Sequence, residues 1–291
     1  MSSTGGRPNV GFIGLGNQGA PIAHRIAASG LPLHVWARRP ESTQPYTANG
    51  AVAHASPKSL AQACDVVGIC VAFDADVDAV VDGNGEGVLY GLRPGGVVAI
   101  HSTVSPGTVQ RLDGLARERG VHVLDAPVSG GPGGARAGTM TVMVGGSAEA
   151  VGLARPVLET FASTIAHLGE VGTGQVMKLL NNNLCYANLA MSVSALEVVA
   201  QLGIDPAMAI AVIKVSSGMS TGFTIVSDPG LLAKATGPTS NISKDVGHFA
   251  GIVAAHGLHD VPLLAVAETA HRRAVEFAQR NTVHHQKAET Q

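Results

Sequence analysis

A glycine-rich turn near the N-terminus constrains the fold more than any other stretch. Residues 9–13 predict a short buried strand, Gly14-Leu15-Gly16-Asn17-Gln18-Gly19 follows at once, and residues 20–29 predict a helix. Gly30 is placed to end that helix, and residues 31–36 predict a second strand. A GxGxxG pattern between a strand and a helix is typical of the first turn of a dinucleotide-binding βαβ unit.

Glycines at such a turn let the backbone approach a pyrophosphate, and the N–H groups at the start of the helix meet its charge. The alternative is a plain glycine-rich turn that binds nothing. We predict cofactor binding by the following five residues of the turn: Gly14, Leu15, Gly16, Asn17 and Gln18.

The residues after the second strand indicate which dinucleotide binds. An Asp or Glu there would accept a hydrogen bond from the ribose 2′-OH of NAD, but the chain has Trp36-Ala37-Arg38-Arg39-Pro40. Arginine can pair with a 2′-phosphate, often through two nitrogens. We therefore predict that Arg38 and Arg39 make the chain prefer NADP(H), with NAD(H) also accepted. Two surface arginines in a solvated loop are the alternative.

Further buried strands are predicted along the first half of the chain, at residues 65–72, 97–101, 121–124, 140–144 and 164–168. The carboxyl ends of strands in open α/β sheets face the ligand. Val71, Ala72 and Thr103 are therefore predicted to contact the cofactor.

Three acidic residues alternate in the segment 74–78, namely Asp74, Asp76 and Asp78. Such a pattern can bind a metal, but these residues lie at a predicted helix start, where carboxylates suit the helix dipole. We favour helix capping and predict no metal site.

A second glycine-rich stretch, residues 125–134, follows the strand at 121–124. Its unencumbered backbone N–H groups, together with the Ser129 hydroxyl, could bind a carboxylate. A flexible linker is the alternative.

Residues 172–203 predict one long helix, because they contain no proline and are apolar on nearly every face, as in a helix buried on all sides. Lys178 is the only charge before Glu197, and asparagines at 181–183 are unfavourable in a helix interior. Such a local conflict suggests a site. Lys178 and Asn182 are four residues apart and share a face. A membrane span is disfavoured because the asparagines make insertion costly.

The length of 291 residues suggests two domains, which we place at residues 1–169 and 170–291. After the long helix, residues 206–215, 243–255 and 262–280 predict helices, and the polar tail beyond is predicted to be disordered. The predicted fold class is α/β: an N-terminal Rossmann-type dinucleotide-binding domain joined through the long helix to an all-α C-terminal domain.

Composition narrows the partners and the compartment. A formal net charge of -2 gives no reason to expect nucleic acid, so a small molecule is the better expectation. Cys64, Cys70 and Cys185 form no CxxC and lie in apolar segments, which predicts reduced core thiols and a cytoplasmic location. The first nine residues lack the pattern of a secretion signal.

Four segments together resemble the β-hydroxyacid dehydrogenase family, in the 6-phosphogluconate dehydrogenase superfamily. Its members include 3-hydroxyisobutyrate dehydrogenases, tartronate semialdehyde reductases and glyoxylate or succinic semialdehyde reductases. The matching segments are residues 11–19, residues 125–131, Gly172-Thr173-Gly174-Gln175 with Lys178 and Asn182, and Lys244-Asp245. Gln18 and His101 depart from the residues most common in the family, at positions that do not carry the chemistry.

The resemblance implies roles for individual residues. Lys178 would be the catalytic residue, with Asn182 as its partner at the substrate, and Ser129, Gly130 and Gly131 would bind the substrate carboxylate. Thr103 would contact the nicotinamide, and Lys244 would close the cofactor site.

The implied reaction is reversible hydride transfer between nicotinamide and a small 3-hydroxyacid or semialdehyde acid, with Lys178 as general acid/base. Two alternatives stay open: an imine reductase, and a catalytically silent NADP-binding sensor or interaction module. Substrate selectivity is assigned to residues 216–223, His248 and Phe249. For His248 the alternative, a structural histidine on a largely apolar helix, is favoured. A homodimer or homotetramer is expected, because the apolar long helix would also pack against a second subunit.

Overall fold

The structure is a computed structural model that describes residues 7–288, with side chains described for residues 7–280. Residues 1–6, where a secretion signal is predicted to be absent, lie outside the described part. The chain forms two compact units, residues 1–178 and 179–291. This division falls inside the long helix, whereas the domain boundary predicted from the sequence precedes that helix.

The first unit is built on one sheet of nine strands. The strands are β1 (Val10–Ile13), β2 (Leu33–Trp36), β3 (Val52–Ala53), β4 (Val66–Ile69), β5 (Val97–Ile100), β6 (His122–Asp125), β7 (Val128–Ser129), β8 (Met140–Gly145) and β9 (Ala162–Gly169). Their order is β3-β2-β1-β4-β5-β6-β8-β7, with β9 also paired to β8. In this order, every pair of neighbouring strands between β3 and β6 is parallel: β3-β2, β2-β1, β1-β4, β4-β5 and β5-β6. Strand β8 runs antiparallel to both β6 and β7.

Helices connect these strands. They are α1 (Gly19–Ala28), α2 (Gln44–Thr47), α3 (Pro57–Ala61), α4 (Asp74–Val81), α5 (Pro106–Arg117), α6 (Gly131–Ala137) and α7 (Ala148–Leu158). Proline at the first position and a serine cap begin both α3 and α5. Each strand predicted from an apolar run is present, within a few residues at its ends.

Apolar side chains cover both faces of the sheet, as expected for parallel strands. Val97 and Ala99 of β5 belong to one buried cluster, together with residues of α1 and α7. Val98 and Ile100, which point to the opposite face, belong to a second cluster with residues of α3, α4 and α5. The sheet therefore presents only its edges and strand ends to ligands.

The second unit contains helices only, within its described residues. The long helix α8 (Thr173–Gln201) begins in the first unit and is followed by α9 (Pro206–Lys214), α10 (Thr221–Ser227), α11 (Pro229–Thr236), α12 (Ile242–Ala255) and α13 (Pro262–Ala288). The α/β class with a helical C-terminal part is confirmed. The prediction of a disordered tail after residue 280 is wrong for the backbone up to Ala288, which continues α13.

Helix α8 is not buried on all sides, contrary to the prediction. Leu180, Leu184, Met191 and Val198 are exposed on it, at spacings that place them along one face. Among the described residues α8 is the one helix long and apolar enough to cross a membrane, a property that core helices of soluble proteins share. Its polar groups, described below, are held by hydrogen bonds inside the protein.

Candidate active site

The glycine-rich turn after β1 has the shape of a dinucleotide cradle. Gly14 has a φ of 101°, and a Cβ there would lie 2.1 Å from the carbonyl oxygen of Cys70. A Cβ on Gly19 would lie 1.8 Å from the carbonyl oxygen of Gly14, so the helix can start this close to the turn only with glycine. A Cβ on Gly16 would meet nothing within 4 Å, so the backbone there is open to a ligand. The turn therefore fits a pyrophosphate at the start of α1.

The side chains between these glycines have different environments. Leu15 is half-buried against the sheet core, and Asn17 is exposed. The side-chain amide of Gln18 contacts the sulfur of Met140 at 3.8 Å, so it is directed towards β8. Any cofactor contact of Leu15 and Gln18 is therefore expected through their backbone.

The two arginines after β2 are exposed, as a contact to a 2′-phosphate requires. Arg38 forms an ion pair with Asp76, with 3.1 Å between Nη1 and Oδ1. Asp76 also accepts a hydrogen bond from the backbone N–H of Phe73 at 3.2 Å, which caps the start of α4.

The neighbouring carboxylates on α4 bind α5 instead. Asp74 accepts from the Ser105 N–H at 2.9 Å and from the Thr108 hydroxyl at 2.7 Å, and Asp78 pairs with Arg111. Asp76 thus caps α4, and Asp74 lies in the same first turn, where a carboxylate suits the helix dipole, whereas Asp78 lies beyond that turn. In the part of the chain described, no cluster of three or more His, Cys, Asp or Glu side chains could bind a metal.

The loops after β4 and β5 are joined at the carboxyl edge of the sheet. The Ser102 hydroxyl accepts a hydrogen bond from the Val71 N–H at 2.9 Å, and Ala72 next to it is exposed. The buried side chain of Gln175, from α8, contacts the residues on both sides of Thr103. Its Nε2 donates to the Ser102 carbonyl at 2.8 Å, and its Oε1 accepts from the Val104 N–H at 3.1 Å. Thr103 is therefore fixed to the start of α8.

Asp125, at the end of β6, anchors the same helix start. Its buried carboxylate accepts from the backbone N–H groups of Gly172 and Gln175, both at 2.8 Å. Burial raises the pKa of Asp125 to about 6, against the opposing effect of these N–H donors. A Cβ on Gly174 would lie 2.4 Å from the Met143 carbonyl, so only glycine allows this approach. Lys178, three residues after Gln175 on α8, is buried, with 8% of its surface exposed.

The second glycine-rich stretch is ordered, so the linker alternative is wrong. Ser129 ends β7, where it pairs with Thr141 of β8, and Gly131 begins α6. Gly130 and Gly131 have φ values of 123° and 60°, which glycine adopts at little cost. The half-buried Ser129 hydroxyl thus lies next to an irregular, glycine-only backbone at the start of a helix.

The helical unit contains a polar cluster centred on the buried Asp245. Its Oδ2 accepts hydrogen bonds from the Asn182 amide at 2.7 Å and from the Tyr186 hydroxyl at 2.9 Å. Burial, followed by the nearby carboxylate, raises the pKa of Tyr186. Lys244 lies 3.7 Å from Oδ1 of the same carboxylate. Asn183 has a different role, since its amide donates to the Leu179 carbonyl at 2.8 Å.

Sequence reasoning assigned no role to Gln175, Asp125 or Asp245, although all three lie in the segments that carry the resemblance. Their hydrogen-bond partners described above are 47 or more residues away in the chain, so only the fold shows them. Two residues assigned to selectivity are buried. Phe223 is buried in the core of the helical unit, and Phe249 is buried against Leu179 and Val253. His248 is half-buried on α12.

His101 is a buried structural group. Its Nδ1 lies 2.9 Å from the Ala126 carbonyl, and because a carbonyl can only accept, this nitrogen carries the hydrogen. The ring stacks on Phe12 and meets Phe161 edge-on. Burial lowers the pKa of His101 to about 4, so it is neutral near pH 7.

Comparisons with known proteins agree with this geometry. Residues 9–169 match the model for the NAD binding domain of 6-phosphogluconate dehydrogenase, and residues 172–288 match that for the NAD-binding region of NADP-dependent 3-hydroxyisobutyrate dehydrogenase. An uncharacterized oxidoreductase of Mycobacterium tuberculosis is 38% identical over 198 residues, which cover 68% of this chain and 66% of that protein, just under two thirds of its length.

Two further proteins are similar over most of the chain. The 3-hydroxyisobutyrate dehydrogenase of Pseudomonas aeruginosa is 35% identical over 80% of this chain and 78% of its own. The solved structure of Psf3 in complex with NADP+ and 2-OPP has a TM-score of 0.79 at 28% identity, covering 93% of this chain and 99% of that one. The two matched models together account for nearly all described residues, and the chain therefore belongs to the β-hydroxyacid dehydrogenase family.

Proposed function

We propose that the chain is an NADP(H)-dependent oxidoreductase that transfers a hydride between nicotinamide and a small 3-hydroxyacid or semialdehyde acid. The observation that best supports this is the buried Lys178, on a helix whose start is held by Asp125 at the end of β6 and, through Gln175, by the loop after β5. A buried lysine is costly for stability and is rarely retained without a role. The dehydrogenase names of the relatives support the same reaction class.

The cofactor, when bound, accepts the hydride in oxidation and donates it in reduction. Lys178 takes the proton that the substrate hydroxyl loses in oxidation and returns it in reduction. Asn182, four residues further along α8, hydrogen-bonds the substrate. Asp245 orients Asn182 by accepting a hydrogen bond from the Asn182 side-chain amide.

Substrate and cofactor are bound by groups that the sequence places at strand ends. The Ser129 hydroxyl and the N–H groups of Gly130 and Gly131 bind the substrate carboxylate. The N–H groups of the turn at residues 14–19 bind the pyrophosphate. Further cofactor contacts are proposed for Val71, Ala72, Thr103 and Lys244.

The arginines after β2 are the basis for proposing NADP(H) over NAD(H). No acidic residue occupies the end of β2, and both Arg38 and Arg39 are exposed there. The solved complex of Psf3 contains NADP+, which is consistent with this preference.

Replacing the lysine tests the assignment. Lys178→Ala is expected to lose at least about 10²-fold in kcat, the scale of positioned acid–base catalysis, while NADPH binding is largely kept. Lys234→Ala, at an exposed position of α11, is the matched control and should keep full activity. Near-normal turnover of Lys178→Ala would refute the role of the lysine.

A substrate screen separates the function from its rivals. NADPH oxidation would be followed with glyoxylate, succinic semialdehyde, tartronate semialdehyde and methylmalonate semialdehyde, with the matching hydroxyacids in the reverse direction. A cyclic imine is included. A faster rate with the imine would favour an imine reductase, and NADPH binding without any turnover would favour a silent sensor module.

We also propose that the protein is a homodimer or homotetramer. The exposed apolar face of α8 supports this, as does α9, in which none of the residues is buried although nearly all are apolar. Light scattering on a sizing column should give a multiple of the 29.5 kDa chain mass. Leu184→Glu and Met208→Glu should reduce that mass, and a monomeric parent protein would refute the proposal.

A cytoplasmic location is proposed as well. All three cysteines lie in the described part of the chain and none forms a disulfide. Burial raises the pKa of the Cys64 and Cys70 thiols to about 12, so neither thiol is ionised near pH 7. Such thiols suit a reducing compartment.

A further inference from the structure

One ion pair lies beside the point where the sheet is expected to bind its cofactor. The strand order reverses between β1 and β4, and ligands of open α/β sheets bind outside the carboxyl ends of the strands at such a point. Arg38 follows β2 and Asp76 lies in the first turn after β4, the two strands that flank β1. Their ion pair thus joins the loops on either side of the glycine-rich turn.

The two partners of this ion pair are not equally fixed. Asp76 is held by the backbone, because its second oxygen accepts from the Phe73 N–H, and its side chain is only 22% exposed. The Arg38 side chain is 78% exposed and contacts the carboxylate through a single nitrogen, Nη1. A guanidinium can bind a phosphate through two nitrogens, so a phosphate and Asp76 would compete for the same mobile side chain.

The charges around Arg38 determine how Asp76 affects the binding of a 2′-phosphate. A 2′-phosphate is bound by positive charge, which Arg38 and Arg39 supply, and the Asp76 carboxylate opposes one of these two charges. Arg39 forms no ion pair among residues 7–280. We propose that Asp76 is a specificity-determining residue that weakens the preference for NADP(H) by competing with the 2′-phosphate for Arg38. This inference rests on the proposed use of a nicotinamide dinucleotide and deepens it.

Neutralising the carboxylate is the direct test. In Asp76→Asn an oxygen remains to cap the Phe73 N–H, so the start of α4 is kept while the charge is lost. Binding of NADPH and NADH would be titrated by the fluorescence of the reduced nicotinamide. NADPH is expected to bind roughly 3- to 10-fold more tightly than to the parent protein, and NADH to change by less than about twofold.

A matched control lies two residues further along the same helix. Asp78 also forms an exposed ion pair, with Arg111 of α5, so Asp78→Asn removes the same charge from α4 without affecting Arg38. It is expected to leave both dissociation constants within about twofold. An equal gain for NADPH in Asp78→Asn would show a general charge effect and overturn the proposal.

Arg38→Ala separates the inference from the cofactor proposal. It is expected to weaken NADPH binding. Adding Asp76→Asn to Arg38→Ala should then raise the NADPH affinity by less than about twofold, because the arginine for which Asp76 and the phosphate compete is absent. If Arg38→Ala weakens NADPH but Asp76→Asn leaves it unchanged or weaker, the inference fails and the cofactor proposal stands. If the parent protein prefers NADH and Arg38→Ala changes nothing, both fail.

Discussion

Replacing Gln175 is expected to lower both the stability of the first unit and the activity. Its fully buried side chain holds the loop that contains Thr103 to the start of α8 through two hydrogen bonds. Replacing it with leucine keeps approximately the same volume but provides neither a donor for the Ser102 carbonyl nor an acceptor for the Val104 N–H.

The expected magnitude follows from these two bonds. A buried polar group left without a partner costs about 1–3 kcal/mol, and the change leaves two such groups on the backbone. Gln175→Leu should therefore lower the free energy of unfolding by about 2–5 kcal/mol, after allowance for the apolar surface that leucine buries. Because Thr103 lies between the two freed groups, kcat should fall further than the affinity for NADPH.

Urea unfolding followed by tryptophan fluorescence is suited to this test. Trp36, the single tryptophan, lies on β2, so its emission reports the first unit and not the helical one. Gln110→Leu is the control, since the exposed Gln110 donates one long bond of 3.5 Å to Val171 near the same helix start, and should cost less than about 0.5 kcal/mol. A loss below about 1 kcal/mol for Gln175→Leu, or one equal to that of the control, would refute the reasoning.

Two further predictions concern pH and the cofactor turn. His101 has its pKa lowered to about 4 in the folded chain, so the unfolded chain binds the proton first, and stability is lost as pH falls from about 6.5 towards 4. Between pH 7.5 and 5 the protonation of His101 lowers the free energy of unfolding by about 2 kcal/mol. His101→Gln should therefore lose about 2 kcal/mol less than the parent protein over this pH range. Gly16→Ala should fold normally, because its Cβ has free space, yet bind NADPH at least about tenfold more weakly because the methyl group stands where the pyrophosphate approaches.

Each of these has its own check. Asp125 acts against His101, because its raised pKa makes the folded chain gain stability as pH falls through about 6. The pH test must therefore compare parent and His101→Gln, and parallel stability curves would contradict it. For the turn, Gly133→Ala in α6 is the control, since its Cβ also meets nothing within 4 Å. Unchanged NADPH affinity in Gly16→Ala would show that the cofactor does not approach this glycine.

The sheet was predictable because its signals are local. The predicted strands are short apolar runs, and the GxGxxG turn indicates which run comes first and where a cofactor is expected. The two-residue strands β3 and β7 were not predicted. Helices α10 and α11 were not predicted, because their local signals are weak. Helices α10 and α11 are short and contain Gly222 and Gly230, so their apolar pattern is weak, although Asp228-Pro229 is a helix-start signal. Gly222 is required by packing, since its Cβ would lie 2.4 Å from the Leu189 nitrogen.

The exposed face of α8 shows a different limit. A pattern of leucine and methionine predicts that these side chains are buried. It does not distinguish burial within one chain from burial against a second copy. The hydrogen-bond partners of buried polar groups could not be predicted from the sequence either. Asn182 was singled out as an unfavourable residue in a helix, but its partner Asp245 is 63 residues away and became visible only in the fold.

The anchoring of α8 links two parts of the proposed chemistry within the first unit. Asp125 fixes the helix backbone at Gly172 and Gln175, and the Gln175 side chain fixes the backbone on either side of Thr103. Gln175 and Lys178 are three residues apart and so are neighbours on the helix surface. The proposed acid–base residue and the proposed nicotinamide contact therefore share one support. A displacement of that support would misalign the proton and hydride steps together, which is why both should fail in Gln175→Leu although neither group is itself replaced.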